Sequence, residues 1–161
     1  MKIPSFLLSV VLFVFLTAGG ARAHDDVQGL LDGYSALQLE LASDLFKETL
    51  DEAKGLEFDI KHWLEEVPDV HPKRPAVEKM AEGARALLAL SPKEEEKIRT
   101  TFELLANGVI ALIRTDEALK ANWQLYYCPM GKKYWTQPKT VKLMNPYMGT
   151  AMPNCGGKKP W

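Results

Sequence analysis

Apolar side chains recur at every third or fourth position from residue 25 to about residue 120, the period of helices that each bury one face. Val27, Leu30, Tyr34, Leu37 and Leu41 form the first stripe. Ser43-Asp44 then reads as a turn and as the N-cap of a second helix. That helix sets Phe46, Leu50, Ala53, Ile60 and Leu64 inward and Lys47, Glu48, Asp51, Glu52 and Lys54 outward, and Gly55 is a point where it can kink. Pro68, Pro72 and Pro75 punctuate a loop that carries His71, because proline disfavours helix at the preceding residue. A short third helix over about 76–90 buries Val77, Met80, Ala84 and Leu87. Ser91-Pro92-Lys93-Glu94 has the order of a helix start, a serine cap with a glutamate three residues on to close a capping box. The fourth helix, with Ile98, Phe102, Leu105, Val109 and Leu112 inside, should run to about Leu119. Four amphipathic helices on short connections predict an all-α fold, a four-helix bundle with antiparallel neighbours.

The pattern changes at Asn122. Pro129, Pro138, Pro146, Pro153 and Pro160 exclude a fifth long helix. Residues 123–127 and 140–143 have short-strand character, and the rest reads as turns. Trp123, Tyr126, Tyr134 and Trp135 predict that this irregular Cys/Met-rich C-terminal segment, about 122–161, is pinned on the bundle. Because the helical faces read as complete without it, a chain ending near Lys120 is expected to keep its helices.

The N-terminus reads as an export signal over residues 1–23. Lys2 supplies the positive charge, 6–18 is an apolar run too short for a bilayer span, and Ala21-Arg22-Ala23 fits a small-x-small cleavage site. Cleavage leaves a single domain, 24–161, with His24 first and a periplasmic or secreted destination. The mature chain has 18 basic and 21 acidic residues. That balance gives no reason to expect a nucleic-acid or anionic-membrane partner, and no stable membrane insertion is expected after cleavage.

Chemistry is concentrated in the tail. Both cysteines and four of the six methionines, Cys128, Met130, Met144, Met148, Met152 and Cys155, lie within 28 residues. Thiolate and thioether sulfurs are soft donors that select Cu(I) over hard cations, so a copper(I) or silver(I) site is one reading. In an oxidising compartment two cysteines also form a disulfide by default, and closing this loop would stabilise the chain by roughly 3 to 4 kcal/mol. Cys128-x-Met130 and Met152-x-x-Cys155 bring four soft donors to the two ends of the loop, which a bare disulfide would not need. Met144, Met148 and Met152 are four apart and would align on a helix, although Pro146 and Gly149 oppose one there, and Met144 and Met148 also suit core filling. His24 at a mature N-terminus could chelate Cu(II) if His62 or His71 came near. His62 otherwise reads as a helix-surface residue and His71 as a loop residue. Asp44 and Arg99 read as structural ion-pair residues, and Glu94-Glu95-Glu96 as a solvated first-turn charge pattern. Lys132-Lys133 and Lys158-Lys159 flank the sulfur segment and would serve a docking surface or solubility.

Tyr127-Cys128-Pro129-Met130, Tyr134-Trp135 and Asn145-Pro146-Tyr147-x-Gly149-x-x-Met152-x-x-Cys155-Gly156 together resemble the domain of unknown function 3347 family. Tyr34-x-x-Leu37-x-x-x-Leu41 and Arg99-x-x-Phe102 extend the resemblance over nearly the whole mature chain. The family comprises exported domains, alone or joined to periplasmic adaptor subunits of copper and silver efflux pumps. The resemblance implies a helical bundle with a sulfur-bearing tail and a role in copper handling, with Cys128, Met130, Met152 and Cys155 at the family's sulfur positions. There is no room here for an adaptor's hairpin or barrel module, so pump-adaptor activity is not implied.

The sequence thus predicts a non-enzymatic periplasmic copper-binding protein that handles or confers resistance to the metal. The alternative is a disulfide-clamped interaction module that docks on an envelope or efflux protein. The chain lacks a Cys-x-x-Cys redox pair, a haem attachment motif, a His-Glu-x-x-His zinc motif and a Gly-x-Ser-x-Gly elbow, so it is not expected to be an enzyme and no organic cofactor is expected.

Overall fold

A computed structural model describes residues 27–161. The export signal and His24 lie outside the described residues. The order of elements is α1 (Gln28–Ala42), α2 (Phe46–Glu66), α3 (Arg74–Leu88), α4 (Glu95–Arg114), α5 (Glu117–Asn122), β1 (Trp123–Cys128), β2 (Lys133–Pro138) and β3 (Gly157–Lys159), with a 3-10 turn at Gly149–Ala151 before β3.

The first four helices bury the stripes that their periodicity marks out. Leu30, Tyr34, Leu37 and Leu41 of α1 are buried, as are Leu50, Ala53 and Ile60 of α2, Val77, Met80, Ala84 and Leu87 of α3, and Ile98, Phe102, Leu105, Val109 and Leu112 of α4. The turn between α2 and α3 is tied by Arg74, whose guanidinium donates to the Leu64 and Val67 carbonyls at 2.8 and 2.7 Å and so satisfies the end of α2. Only half of the expected capping box forms. The Ser91 amide donates to the Glu94 carboxylate at 2.9 Å, within a turn that precedes α4.

Two expectations are corrected. The fourth helix does not continue to Leu119. Asp116 leaves helical geometry, with φ −142° and ψ 118°, and its side chain accepts the Ala118 amide to cap the separate α5. The all-α bundle with an irregular Cys/Met-rich segment is also overturned, because the tail holds a three-stranded antiparallel sheet in the order β2-β1-β3 and the chain is a mixed structure. Tyr126 lies opposite Trp135 on one side and Lys158 on the other. The short-strand character expected over residues 123–127 is realised as β1, whereas Tyr134 and Trp135, expected only to pin the tail, suit a pleated, half-buried surface and form β2. Pro129-Met130-Gly131-Lys132 makes the hairpin loop, with Lys132 at φ 53°. Residues 140–143 do not form a strand.

The sheet completes the core. Trp123, Tyr126, Cys128, Trp135 and Tyr147 belong to the same buried cluster as the helical stripes. Tyr34 of α1 is fully buried, and its hydroxyl donates to the Thr136 carbonyl of β2 at 3.1 Å. Burial pushes that phenol well above its ordinary pKa, so it remains a neutral donor. Aromatic contacts run Tyr34 to Phe102, Phe102 to Tyr147, Tyr147 to Trp135 and Trp135 to Tyr126, with centroid spacings of 5.7, 5.7, 6.2 and 5.2 Å. The helical faces are therefore not complete without the tail.

Candidate metal centre

The pairing of β3 with β1 brings the two cysteines together. Tyr127 is opposite Gly157, so one step further along each strand sets Cys128 beside Gly156 and the neighbouring Cys155. The two sulfurs lie 3.9 Å apart as free thiols. Cys128 is fully buried and Cys155 half-buried.

Backbone amides of one loop act on both sulfurs. The Gly131 amide donates to Cys128 Sγ at 3.1 Å, and the Met130 amide, in the same loop, acts to lower the Cys155 pKa. Burial raises the Cys155 pKa, the adjacent Cys128 raises it further, and the Met130 amide pulls in the opposite direction. Amides directed at a sulfur favour its anionic form and form stronger hydrogen bonds to it than to a neutral one. Metal binding at this pair would replace the thiol protons.

Two side chains set the approach of Cys155. Gly156 faces the indole of Trp135, and a Cβ there would come within 2.4 Å of the ring. Asn145 is fully buried. Its amide nitrogen donates to the Cys155 carbonyl, its side-chain oxygen accepts from the Tyr147 and Met148 amides at 2.8 and 3.2 Å, and its own amide donates to the Pro153 carbonyl at 2.8 Å. It thereby fastens residues 153–155 to the 145–148 segment.

That segment is held in turn by Arg99 and Asp44. The Arg99 guanidinium donates to the Leu41 carbonyl at 3.0 Å and to the Pro146 carbonyl, and pairs with the Asp44 carboxylate. Asp44 also accepts from the Thr150 amide at 3.0 Å and from its hydroxyl. Burial acts to raise the Asp44 pKa, but the Thr150 donors and Arg99 outweigh it and hold the carboxyl below its ordinary value. Gly149 passes so close, at φ 55°, that a Cβ would lie 1.9 Å from Asp44 Oδ1. Asp44 adopts φ 63° and anchors the tail, rather than capping α2 as expected.

The six sulfur candidates therefore divide. Cys128 and Cys155 meet, and Met130 and Met152 stand next to them in chain and backbone, since the Cys155 amide donates to the Met152 carbonyl at 3.1 Å. Both methionine side chains are exposed, 64% for Met130 and 39% for Met152. Met144 is tied through its main chain and Met148 through its side chain. The Met144 carbonyl accepts from Gln38 of α1 at 2.7 Å, while Met148 packs against the core. The helix that would align Met144, Met148 and Met152 is replaced by the 3-10 turn. His62 is exposed and pairs with Glu66 at 3.1 Å, whereas His71 accepts the Lys73 amide at 3.3 Å and lies edge-on to Trp63. Among the described residues no three histidine, cysteine or carboxylate groups gather to hold a metal.

The donor chemistry suits a soft ion. Two thiolates bound to one metal at about 2.3 Å stand about 3.8 to 4.0 Å apart when their bonds make a tetrahedral or trigonal angle, and the thiols are already at 3.9 Å. Such angles leave one or two positions for further donors. Sequence reasoning found the sulfurs but missed the Gly131 and Met130 amides and the clamp by Asn145. The only sequence signal for the clamp was Asn145-Pro146, a turn-forming pair.

Compared with protein-family models, curated proteins and solved structures, the chain finds no match in any of the three. No helix among the described residues is long and apolar enough to cross a membrane.

Proposed function

We propose that this chain is an exported, non-enzymatic carrier of Cu(I) or Ag(I), of the kind it resembles in the domain of unknown function 3347 family. Cys128 and Cys155 hold the ion as thiolates, and Met130 and Met152 supply the remaining donors. One observation carries the reading: two free thiols 3.9 Å apart, with the Gly131 amide donating to Cys128. A donor directed at Cys128 suits a thiolate more than a neutral disulfide sulfur. Export rests on the N-terminal charge, apolar run and cleavage pattern.

The same proximity supports a second reading. In an oxidising compartment the pair closes as a disulfide, and the clamped sheet docks on an envelope or efflux protein. The methionines separate the two, because a clamp does not use them. Exchanging Met130→Leu and Met152→Leu together nearly conserves volume and should leave the fold intact. In competition with a chromophoric Cu(I) chelator, the reduced parent is expected to bind Cu(I) far more tightly than Zn(II), and the double variant to bind it at least about tenfold more weakly than the parent. A reduced parent that cannot compete ends the copper reading. Equal affinity in parent and variant removes these methionines as ligands and favours the clamp.

A further inference from the structure

The charges of this chain are sorted along its length. From Ala118 to Trp161 there are seven lysines and no carboxylate side chain, whereas residues 24–117 carry 21 acidic and 11 basic side chains. Lys120 and Lys133 are neutralised locally by Glu117 and Glu103. Lys139 spends its ammonium on the Lys120 and Ala121 carbonyls, and Lys159 lies over the Tyr127 ring at 5.6 Å. Lys132, Lys142 and Lys158 are exposed and make no ion pair among the described residues, and Lys132 and Lys158 are the two that stand near the cysteines in chain or sheet.

These two lysines flank the sulfur donors. Lys132 shares the Pro129–Lys132 loop with Met130, and Lys158 stands three residues past Cys155, on β3 opposite Tyr126. An exposed apolar centre, here the Met130 and Met152 thioethers, within a charged rim is the anatomy of a protein interface. Exposed apolar side chains at this end come from two separate turns rather than from one continuous helix face, which sets it apart from an element that inserts into a lipid surface.

Building on the metal-carrier reading, we infer that this end of the sheet docks a protein whose contact surface is acidic and carries sulfur donors of its own. Opposite charge draws the partner to the rim and orients it. Metal then passes by ligand exchange. Each bond from Cu(I) to Cys128 or Cys155 breaks as one to a partner sulfur forms, the ion stays Cu(I), and the released thiolates take up protons from solvent.

The test uses the full chain and two synthetic peptides, each with three methionines, spaced in one by pairs of glutamates and in the other by pairs of lysines. Fluorescence anisotropy reads binding to the metal-free and the Cu(I)-loaded protein. The acidic peptide is expected to bind at least about tenfold more tightly than the basic one at low salt, and to lose that advantage at about 0.5 M salt, where the screening length shrinks to a few ångströms. Reversing both charges, Lys132→Glu with Lys158→Glu, should abolish the preference and leave chelator competition for Cu(I) unchanged. The milder pair Lys132→Gln with Lys158→Gln should reduce it, which guards against a folding defect in the reversed pair. Equal binding of the two peptides, or a preference that survives charge reversal, overturns the inference. Stronger binding to phosphatidylglycerol vesicles than to the acidic peptide would replace the protein partner with a membrane surface. A low-salt dimer dissolved by charge reversal, with both peptides ignored, would replace it with a second copy of this chain. If the parent fails to bind Cu(I), the carrier reading falls, and the peptide preference of the metal-free protein still decides whether the docking surface exists.

Discussion

Asn145 makes five hydrogen bonds with its side chain and main chain, and two of its partners, Pro153 and Cys155, lie in a segment that would otherwise be free to part from its own. Asn145→Asp keeps its size and the acceptor used by the Tyr147 and Met148 amides. It removes the donor to the Cys155 carbonyl and sets a negative oxygen against it. Leaving a buried polar group unpaired costs roughly 1 to 3 kcal/mol, and that loss should appear in denaturant unfolding. A second expected result is specific to the thiols. With Cys155 less firmly held beside Cys128, a disulfide formed between them in a glutathione titration should be easier to reduce than in the parent. An unchanged glutathione equilibrium would show that Cys155 is positioned by β3 alone.

At the scale of elements, the helices and the sheet differ in how plainly the sequence announces them. The stripes of α1 to α4 repeat every three or four residues, and that local period is enough to identify both the helix and its buried face. Of the sheet, only β1 has a signal, the short-strand character of residues 123–127. In β2, Trp135, Thr136 and Gln137 are buried in succession because both faces are covered, so the alternation that marks a half-exposed strand is missing. Gly157-Lys158-Lys159 has no strand character and becomes β3 only by pairing with β1. The candidate site divides in the same way. Cysteine and methionine are legible as residue types, but the amides of Met130 and Gly131 act through the backbone, which carries no mark in the sequence. The sheet's share of the core also changes what truncation should do. A chain ending at Lys120 loses Trp123, Tyr126, Trp135 and Tyr147, uncovers the apolar rings of Tyr34 and Phe102, and removes the Thr136 carbonyl to which the Tyr34 hydroxyl donates. It is expected to unfold at markedly lower denaturant and to show a reduced helical circular dichroism signal. Full retention of both would show that α1 to α4 can repack by themselves.

Across the whole molecule, support for the thiol pair runs from the turn between α1 and α2 to the last strand. Asp44 and Arg99 hold the 146–150 segment, Asn145 joins that segment to Cys155, and β1 carries Cys128 on a sheet seated against α4. The sorting of charge has a consequence at this scale that a net value conceals. With its acids on the helical portion and uncompensated lysines on the sheet, the protein is an electric dipole, and a charged resin would meet it one region at a time. Although acidic residues outnumber basic ones, it should be retained on a cation-exchange column at neutral pH and low salt through its sheet, and also on an anion exchanger through its helices. Lys132→Glu with Lys158→Glu should elute distinctly earlier from the cation exchanger. Passage of the parent straight through that column would mean that its lysines are not displayed together.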